Sequence, residues 1–291
     1  MGLRRATADT TTTTITTTEM RVTLLGTGDT TGTPTVGCDC ETCTYARENG
    51  IERSRFSVHV ENPSTGESLL VDFSPDFRAQ FLAQDVTLPD AGIVTHVHFD
   101  HLDGLGNAYR LFSDLPVYAA DETDPVLDRS VAETVREKYD YLERVRVHDE
   151  TPYEPFSTCG FEVTFVPVDH PPLRCYGLTI ESEGAKLSLT GDTSYGIDER
   201  ARAALSEPDL LLADAIVPAS LCEHHPAGGT HHDSTGVPRT FGSKHMTREG
   251  ALALADDLGA AETRLVHVAH YYPVEEAFVE PLAVDGEHHL L

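Results

Sequence analysis

The sequence predicts an α+β fold: two β-sheets packed face to face with helices outside, a four-layer αββα sandwich. Three observations predict it. Short apolar, β-prone runs occur in both halves of the 291-residue chain. Helical segments fall between them, and neither a linker nor a fixed-period repeat divides the chain.

Met20 opens the first strand, "MRVTLLGTG", which ends in a glycine turn. "RFSVHVE" and "SLLVDF" read as strands parted by the turn cluster "NPSTG". "PDFRAQFLAQD" begins with proline and continues as helix. "AGIVTH" is a buried strand. Residues 121–146 read as helix, with "VAETVREKYDYLERV" periodic. "FEVTFVPV", "CYGLTIE" and "KLSLTGD" are successive strands, "DERARAALSE" is helical, and "DLLLAD" is a strand. In "MTREGALALADDLG", Thr247 serves as N-cap and Gly259 as helix stop. "TRLVHVAH" is the last strong strand. Residues 222–245, rich in Gly, Pro, Ser and His, read as a long irregular loop of the kind that forms lids. Residues 1–19 form a threonine-rich, low-complexity tail expected to be disordered, leaving 20–291 as one domain.

The formal net charge is −27, and the only lysines are Lys138, Lys186 and Lys244. Such a surface repels nucleic acid and suits a halophilic, salt-rich cytoplasm, where screening relieves self-repulsion. No apolar run is long enough to span a membrane, and the N-terminus lacks the apolar core of a secretory signal, so the expected location is cytoplasmic. Cys159, Cys175 and Cys222 are scattered singly and read as buried free thiols.

The chemistry concentrates in "VTHVHFDHLDG", residues 94–104. Positions two apart on a strand face one side, so His96 and His98 project together where "AGIVTH" ends. Asp100 and His101 follow where the strand turns. Three more candidates sit in or after apolar runs: His170 after "FEVTFVPVD", Asp192 closing "KLSLTGD" and His267 in "TRLVHVAH". One tetrahedral zinc needs three protein ligands and a water. The surplus is accounted for by two adjacent metals held on rigid strand ends. Imidazole with carboxylate suits zinc, iron or manganese. A second cluster, Cys38, Cys40 and Cys43 in "VGCDCETC", reads as three ligands of a structural zinc awaiting a fourth, for which His270 is the choice.

"HVHFDH" resembles the HxHxDH signature of the metallo-β-lactamase superfamily, and "DH", "GDT" and "VHVAH" resemble its remaining ligand motifs in the same order. The resemblance covers Met20 to about Tyr272. It implies a dinuclear centre, zinc or manganese, between the sheets. His96, His98 and His170 would hold one metal, and Asp100, His101 and His267 the other. Asp192 would bridge and Asp72 would support. The Cys-x-Cys-x-x-Cys loop after "LGTG" and the HxxH near the C-terminus resemble the cyclic phosphodiesterase branch, in which they bind a structural zinc. That branch implies a phosphodiesterase for a small, cyclic, ribose-linked phosphodiester, of the phosphoribosyl 1,2-cyclic phosphate type.

A metal-bridged hydroxide would attack phosphorus, with Asp100 orienting it. His245, just before a helix start, would contact phosphate or act as general acid, and Arg110 in "AYRLF" is a candidate fork donor to the substrate phosphate. The expected partner is a small molecule, and homodimers are common among relatives. Two alternatives share the resemblance. A tRNA 3′-processing endonuclease has a histidine like His245, but this chain has no basic, glycine-rich arm. A non-hydrolytic accessory protein of cofactor biosynthesis carries a similar cysteine loop. Glyoxalase-type thioester hydrolases have no such loop.

Overall fold

The computed structural model describes residues 19–291, so the tail reading of residues 1–19 falls, except for Glu19, outside the described residues. Strands β1 (Arg21–Gly26), β2 (Ser57–Asn62), β3 (Glu67–Val71), β4 (Ala91–Val94), β5 (Leu115–Ala120) and β6 (Val145–Glu150) build a first sheet in that spatial order. A second sheet contains β7 (Phe156–Thr158), β8 (Phe161–Val168), β9 (Cys175–Ser182), β10 (Ala185–Leu189) and β11 (Leu210–Asp214). A small third sheet consists of β12 (Gly229–His232), β13 (Pro238–Phe241) and β14 (His245–Met246). Strand β15 (Glu262–Val266) then joins β11, and β16 (His288–Leu290) joins β1. Between the strands run α1 (Glu41–Asn49), α2 (Phe77–Gln84), α3 (Phe99–Leu102), α4 (Leu105–Ala108), α5 (Val131–Lys138), α6 (Glu199–Leu205), α7 (Arg248–Leu258) and α8 (Val274–Ala277).

The period-two alternation of side chains on a strand sorts the layers. Leu210 and Leu212 of β11 join the core between the sheets, together with Val58, Leu69 and Ile93 from the first sheet. Leu211 and Ala213 face the other way, into a second core with Ala201 and Leu205 of α6 and Leu254 and Leu258 of α7. Phe77 and Phe81 of α2 and Val131 and Val135 of α5 pack against the outer side of the first sheet. The order is therefore helix, sheet, sheet, helix, the αββα sandwich that the strand and helix runs predict.

Strand direction is what positions the site. β3 to β6 are mutually parallel, as are β10, β11 and β15. β8 and β10 are both antiparallel to β9, so β8, β10, β11 and β15 all run one way and their carboxyl ends share one edge.

Several local expectations need correction. The helix read over 121–146 shrinks to α5, because Asp124 ties Val126 N and Leu127 N into a turn. The helix begins only at a capping box between Ser130 and Glu133. The segment 222–245 is not irregular, since its backbone pairs as the β12–β13–β14 meander. β4 stops at Val94 and β15 at Val266, so His96, His98 and His267 lie on loops just past the strand ends rather than on the strands. In α7, Thr247 accepts Gly250 N, and Gly259 closes the helix at φ 67°.

Candidate functional site

The loop after β4 delivers His96 and His98, and α3 turns Asp100 and His101 back toward them. His170 follows β8, Asp192 follows β10 and His267 follows β15, the three strands with aligned carboxyl ends. Ligand-capable atoms of His96, His98, His170 and Asp192 lie within 4.8 Å of one another, as do those of Asp100, His101 and His267. Within the first group, His96 Nε2 is 2.9 Å from His98 Nδ1, and His170 Nε2 is 3.3 Å from that same atom. In the second, Asp100 Oδ2 is 3.6 Å from both His101 Nε2 and His267 Nε2. A single oxygen, Asp192 Oδ2, faces both groups: 3.7 Å from His96 Nε2, 3.4 Å from His101 Nε2 and 3.3 Å from His267 Nε2. Donors about 2.0 Å from a tetrahedral ion are separated by roughly 3.3 Å, which these spacings bracket.

The rings are held from behind, an arrangement that fixes tautomers. His101 Nδ1 donates to Asp72 Oδ2 at 2.6 Å, and Thr95 donates to the same carboxylate from its backbone N at 2.8 Å and its Oγ1 at 2.7 Å. His96 Nδ1 lies 3.1 Å from Thr95 Oγ1, which extends this chain. His170 Nδ1 donates to Lys244 O at 3.1 Å. Asp72 is fully buried, at φ 61° in the left-handed region, which Asp tolerates by local hydrogen bonding. His101 Nε2 and His267 Nε2 are buried and have no hydrogen-bond partner. Unpaired buried nitrogens beside carboxylates are what a cation would satisfy, so the residues fit divalent metals.

The electrostatics agree. Burial pulls His96 well below its ordinary value and His170 down to about 3, so both present free lone pairs at neutral pH. Burial opposes protonation of His101 and His267 too, but there Asp192 wins, with Asp72 on the first and Asp100 and Asp214 on the second. His101 rises well above its usual range and His267 to about 9. The cluster thus answers its buried carboxylates with protons, which metal binding would release.

Asp214, which the sequence reading passes over as a strand end, is the residue it misses. Its Oδ2 accepts Thr193 N and His245 Nδ1, both at 3.0 Å, and its Oδ1 lies 3.8 Å from His267 Nδ1. Burial pushes its carboxyl up despite these neighbours. The available signal was an aspartate closing a buried strand, as Asp192 does after the strand before it. His245 stacks on His267 at 5.0 Å between ring centroids and meets His170 at 4.9 Å, which places it at the cluster. Arg110 is not brought there: it is exposed on a short 3₁₀ turn, with its guanidinium over the Tyr109 ring.

At the second cluster, the Sγ atoms of Cys38, Cys40 and Cys43 each lie 3.4 Å from His270 Nδ1. A tetrahedral zinc with Zn–S of about 2.3 Å and Zn–N of about 2.0 Å has N···S edges of roughly 3.5 Å, so this donor set fits one zinc. Cys40 also N-caps α1, accepting Cys43 N, so the helix start and the thiol spacing are one local feature.

No helix among the described residues is long and apolar enough to cross a membrane. A family model described as beta-lactamase superfamily domain matches residues 67–268. The chain is 28% identical over 265 residues to an octanoyltransferase of Porphyromonas gingivalis, covering 90% of this chain and 49% of that protein. It spans about half the length of the curated relatives it matches. The crystal structure of a new diphosphatase from the PhnP family is similar at TM-score 0.74 and 27% identity, covering 94% of this chain and 97% of that one. Zn(2+)-bound PqqB from Methylobacterium extorquens, at TM-score 0.72 and 21% identity over 92% of this chain and 99% of that one, shares the fold.

Proposed function

Since the chain belongs to the beta-lactamase superfamily domain family, whose architecture here is that of a metal-dependent hydrolase, we propose that it is a phosphodiesterase acting on a small, cyclic, ribose-linked phosphodiester. The observation that carries this reading is the convergence of His96, His98, Asp100, His101, His170, Asp192 and His267 with two buried, unpaired Nε2 atoms. The likeness to a PhnP-family diphosphatase over nearly the whole chain supports hydrolysis at phosphorus.

On this reading His96, His98 and His170 would hold one cation, Asp100, His101 and His267 would hold a second, and Asp192, which faces both groups, would serve both. Two divalent ions bound there, zinc or manganese, would supply the Lewis acidity that makes water nucleophilic near neutral pH and offsets charge on the phosphoryl oxygens. Asp100 would orient the attacking water. Asp214 would hold Nδ1–H of His245, so that with the ring protonated on both nitrogens Nε2–H is the one that would pass to the leaving alkoxide, leaving a neutral imidazole. Cys38, Cys40, Cys43 and His270 would hold a third, structural zinc, and residues 20–291 would act as one hydrolase unit.

The test is hydrolysis of bis(p-nitrophenyl) phosphate by the metal-loaded chain with added manganese. Turnover that disappears in Asp192→Asn supports the proposal. Full metal content without turnover would instead favour an accessory role, a reading that the likeness to PqqB keeps in view. The net charge of −27 argues against a tRNA substrate.

A further inference from the structure

The two clusters are joined by a short piece of chain. His267 belongs to the first and His270 to the second, and Val268 and Ala269, both buried, lie between them. Three residue steps reach at most about 11 Å, so whatever fixes one end of the segment constrains the other.

The segment starts in an unfavourable backbone state. His267 sits at φ 57°, in the left-handed region that residues other than Gly, Asn and Asp seldom adopt. Such a conformation persists only where its surroundings impose it. Val268 N donates to Thr27 O at 2.9 Å, and Val268 O accepts Asp29 N at 3.3 Å, which ties the segment to the loop after β1. Ala269 N donates to Ile216 O at 3.0 Å, just past β11. The far end is His270, whose Nδ1 faces three sulfurs, each at 3.4 Å. The thiol loop is anchored in turn: Thr35 N donates to Cys43 Sγ at 3.3 Å, and Thr42 Oγ1 donates to Tyr272 O at 2.6 Å.

His267 also lacks the support that the other buried rings of its site receive from behind. His96, His101 and His170 each have Nδ1 within 3.1 Å of an oxygen, on Thr95, Asp72 and Lys244 respectively. His267 Nδ1 is buried without a hydrogen-bond partner, and Asp214 Oδ1 stands 3.8 Å away. The His267 ring is therefore aimed by its backbone, and that backbone by the 267–270 segment.

From this placement we propose that the cysteine–histidine cluster is a positioning element of the catalytic centre: a zinc on Cys38, Cys40, Cys43 and His270 fixes the 267–270 segment, and through it sets the affinity of the Asp100, His101 and His267 group for its cation. The His96, His98 and His170 group, which the segment does not enter, keeps its own affinity. A zinc that only stapled the fold would raise thermal stability and leave both catalytic affinities alone. The inference rests on the ligand sets given under the proposed function and not on the identity of the ester.

The experiment titrates wild type, His270→Ala and His270→Cys as full chains with cobalt(II) against a chromophoric chelator, with circular dichroism to establish folding. The sulfur-to-cobalt charge-transfer band reports the thiol cluster separately from the imidazole sites. His270→Ala leaves three thiolates to hold an ion but cuts the segment away from it. One of the two catalytic equivalents should then weaken by about 5–30-fold, the worth of one left-handed residue no longer imposed, while the other holds. His270→Cys, which returns a fourth ligand to the same segment, should recover most of the loss. In a His267→Ala background the surviving catalytic equivalent should not respond to His270→Ala. Equal catalytic affinities in wild type and His270→Ala overturn the proposal and leave the ligand sets standing. Fewer than three equivalents in wild type overturn the ligand sets, and the proposal with them. Should His270→Ala not fold, Cys38→Ala is titrated in its place, with the same two outcomes.

Discussion

Replacing Asp72 by Asn probes how the cluster is held without touching a proposed ligand. Asn tolerates the left-handed φ of 61° as Asp does, so backbone strain is not the variable. The carboxylate accepts three donors: Thr95 N on Oδ1, and Thr95 Oγ1 and His101 Nδ1 on Oδ2. An amide has one acceptor oxygen, so in either flip its NH₂ group meets a donor, the imidazole in one and the Thr95 backbone N–H in the other. The Thr95 hydroxyl can rotate to accept, but the backbone amide cannot, so the flip facing His101 wins. His101 must then move its proton to Nε2, the atom that should ligate. Loss of a buried hydrogen bond to a charged group costs about 1.5–3 kcal/mol. That corresponds to a drop of roughly 10–100-fold in affinity for the cation held by Asp100, His101 and His267. The assay is competition titration with a chromophoric chelator, resolving the equivalents in turn. One equivalent should weaken while those at His96–His98–His170 and at the cysteines keep their wild-type affinities. Uniform weakening of all equivalents, or no weakening, would refute the idea that Asp72 acts through His101.

Three further outcomes are expected. Cys38→Ala should release one zinc equivalent and lower the melting temperature, read by metal analysis and calorimetry on the same sample, while the other two equivalents stay bound. His59, almost fully buried with Nε2 unpaired, is pulled down to about 4 by burial, so the unfolded chain takes up its proton near pH 6.5 and the folded chain does not. Its contribution is complete above pH 6.5 and is lost as pH falls toward 4, by at most about 3 kcal/mol. Denaturant titrations should show a shallower pH slope for His59→Leu than for wild type in that window. Finally, with a net charge of −27, the melting temperature should climb as potassium chloride is raised from 0.1 to 2 M by the ordinary screening argument; a flat response would mean self-repulsion is already balanced locally.

What is legible in the sequence is what is local. His96, His98, Asp100 and His101 fall within six residues, and Thr247 and Gly259 bracket α7 by their own chemistry, so neither needs the fold to be seen. The strand-end rule also reaches His170, Asp192 and His267, although β4, β10 and β15 stop two to four residues earlier than the apolar runs suggest. Asp214 stays hidden because its meaning comes from His245, 31 residues away, and from β11 lying beside β15. That His98 turns Nδ1 toward His96 and His170 is equally invisible, since it depends on a rotamer set by neighbours. Residues 222–245 mislead because glycine and proline there mark tight hairpins rather than absence of pairing. Arg110 reads as plausible by charge alone, and charge alone does not say on which side of a turn it ends.

The donors are divided between the two sheets. His96, His98, Asp100 and His101 follow β4 of the first, and His170, Asp192 and His267 follow strands of the second. On the proposed ligation neither half of the polypeptide can retain an ion alone, and each ion rivets the amino-terminal half to the carboxy-terminal half. Loading and interlayer closure then become a single equilibrium, tightened by every increment of free metal. A substitution that slackens the apolar seam far from any imidazole would register as weaker metal retention, and chelation would part the halves before it melted either.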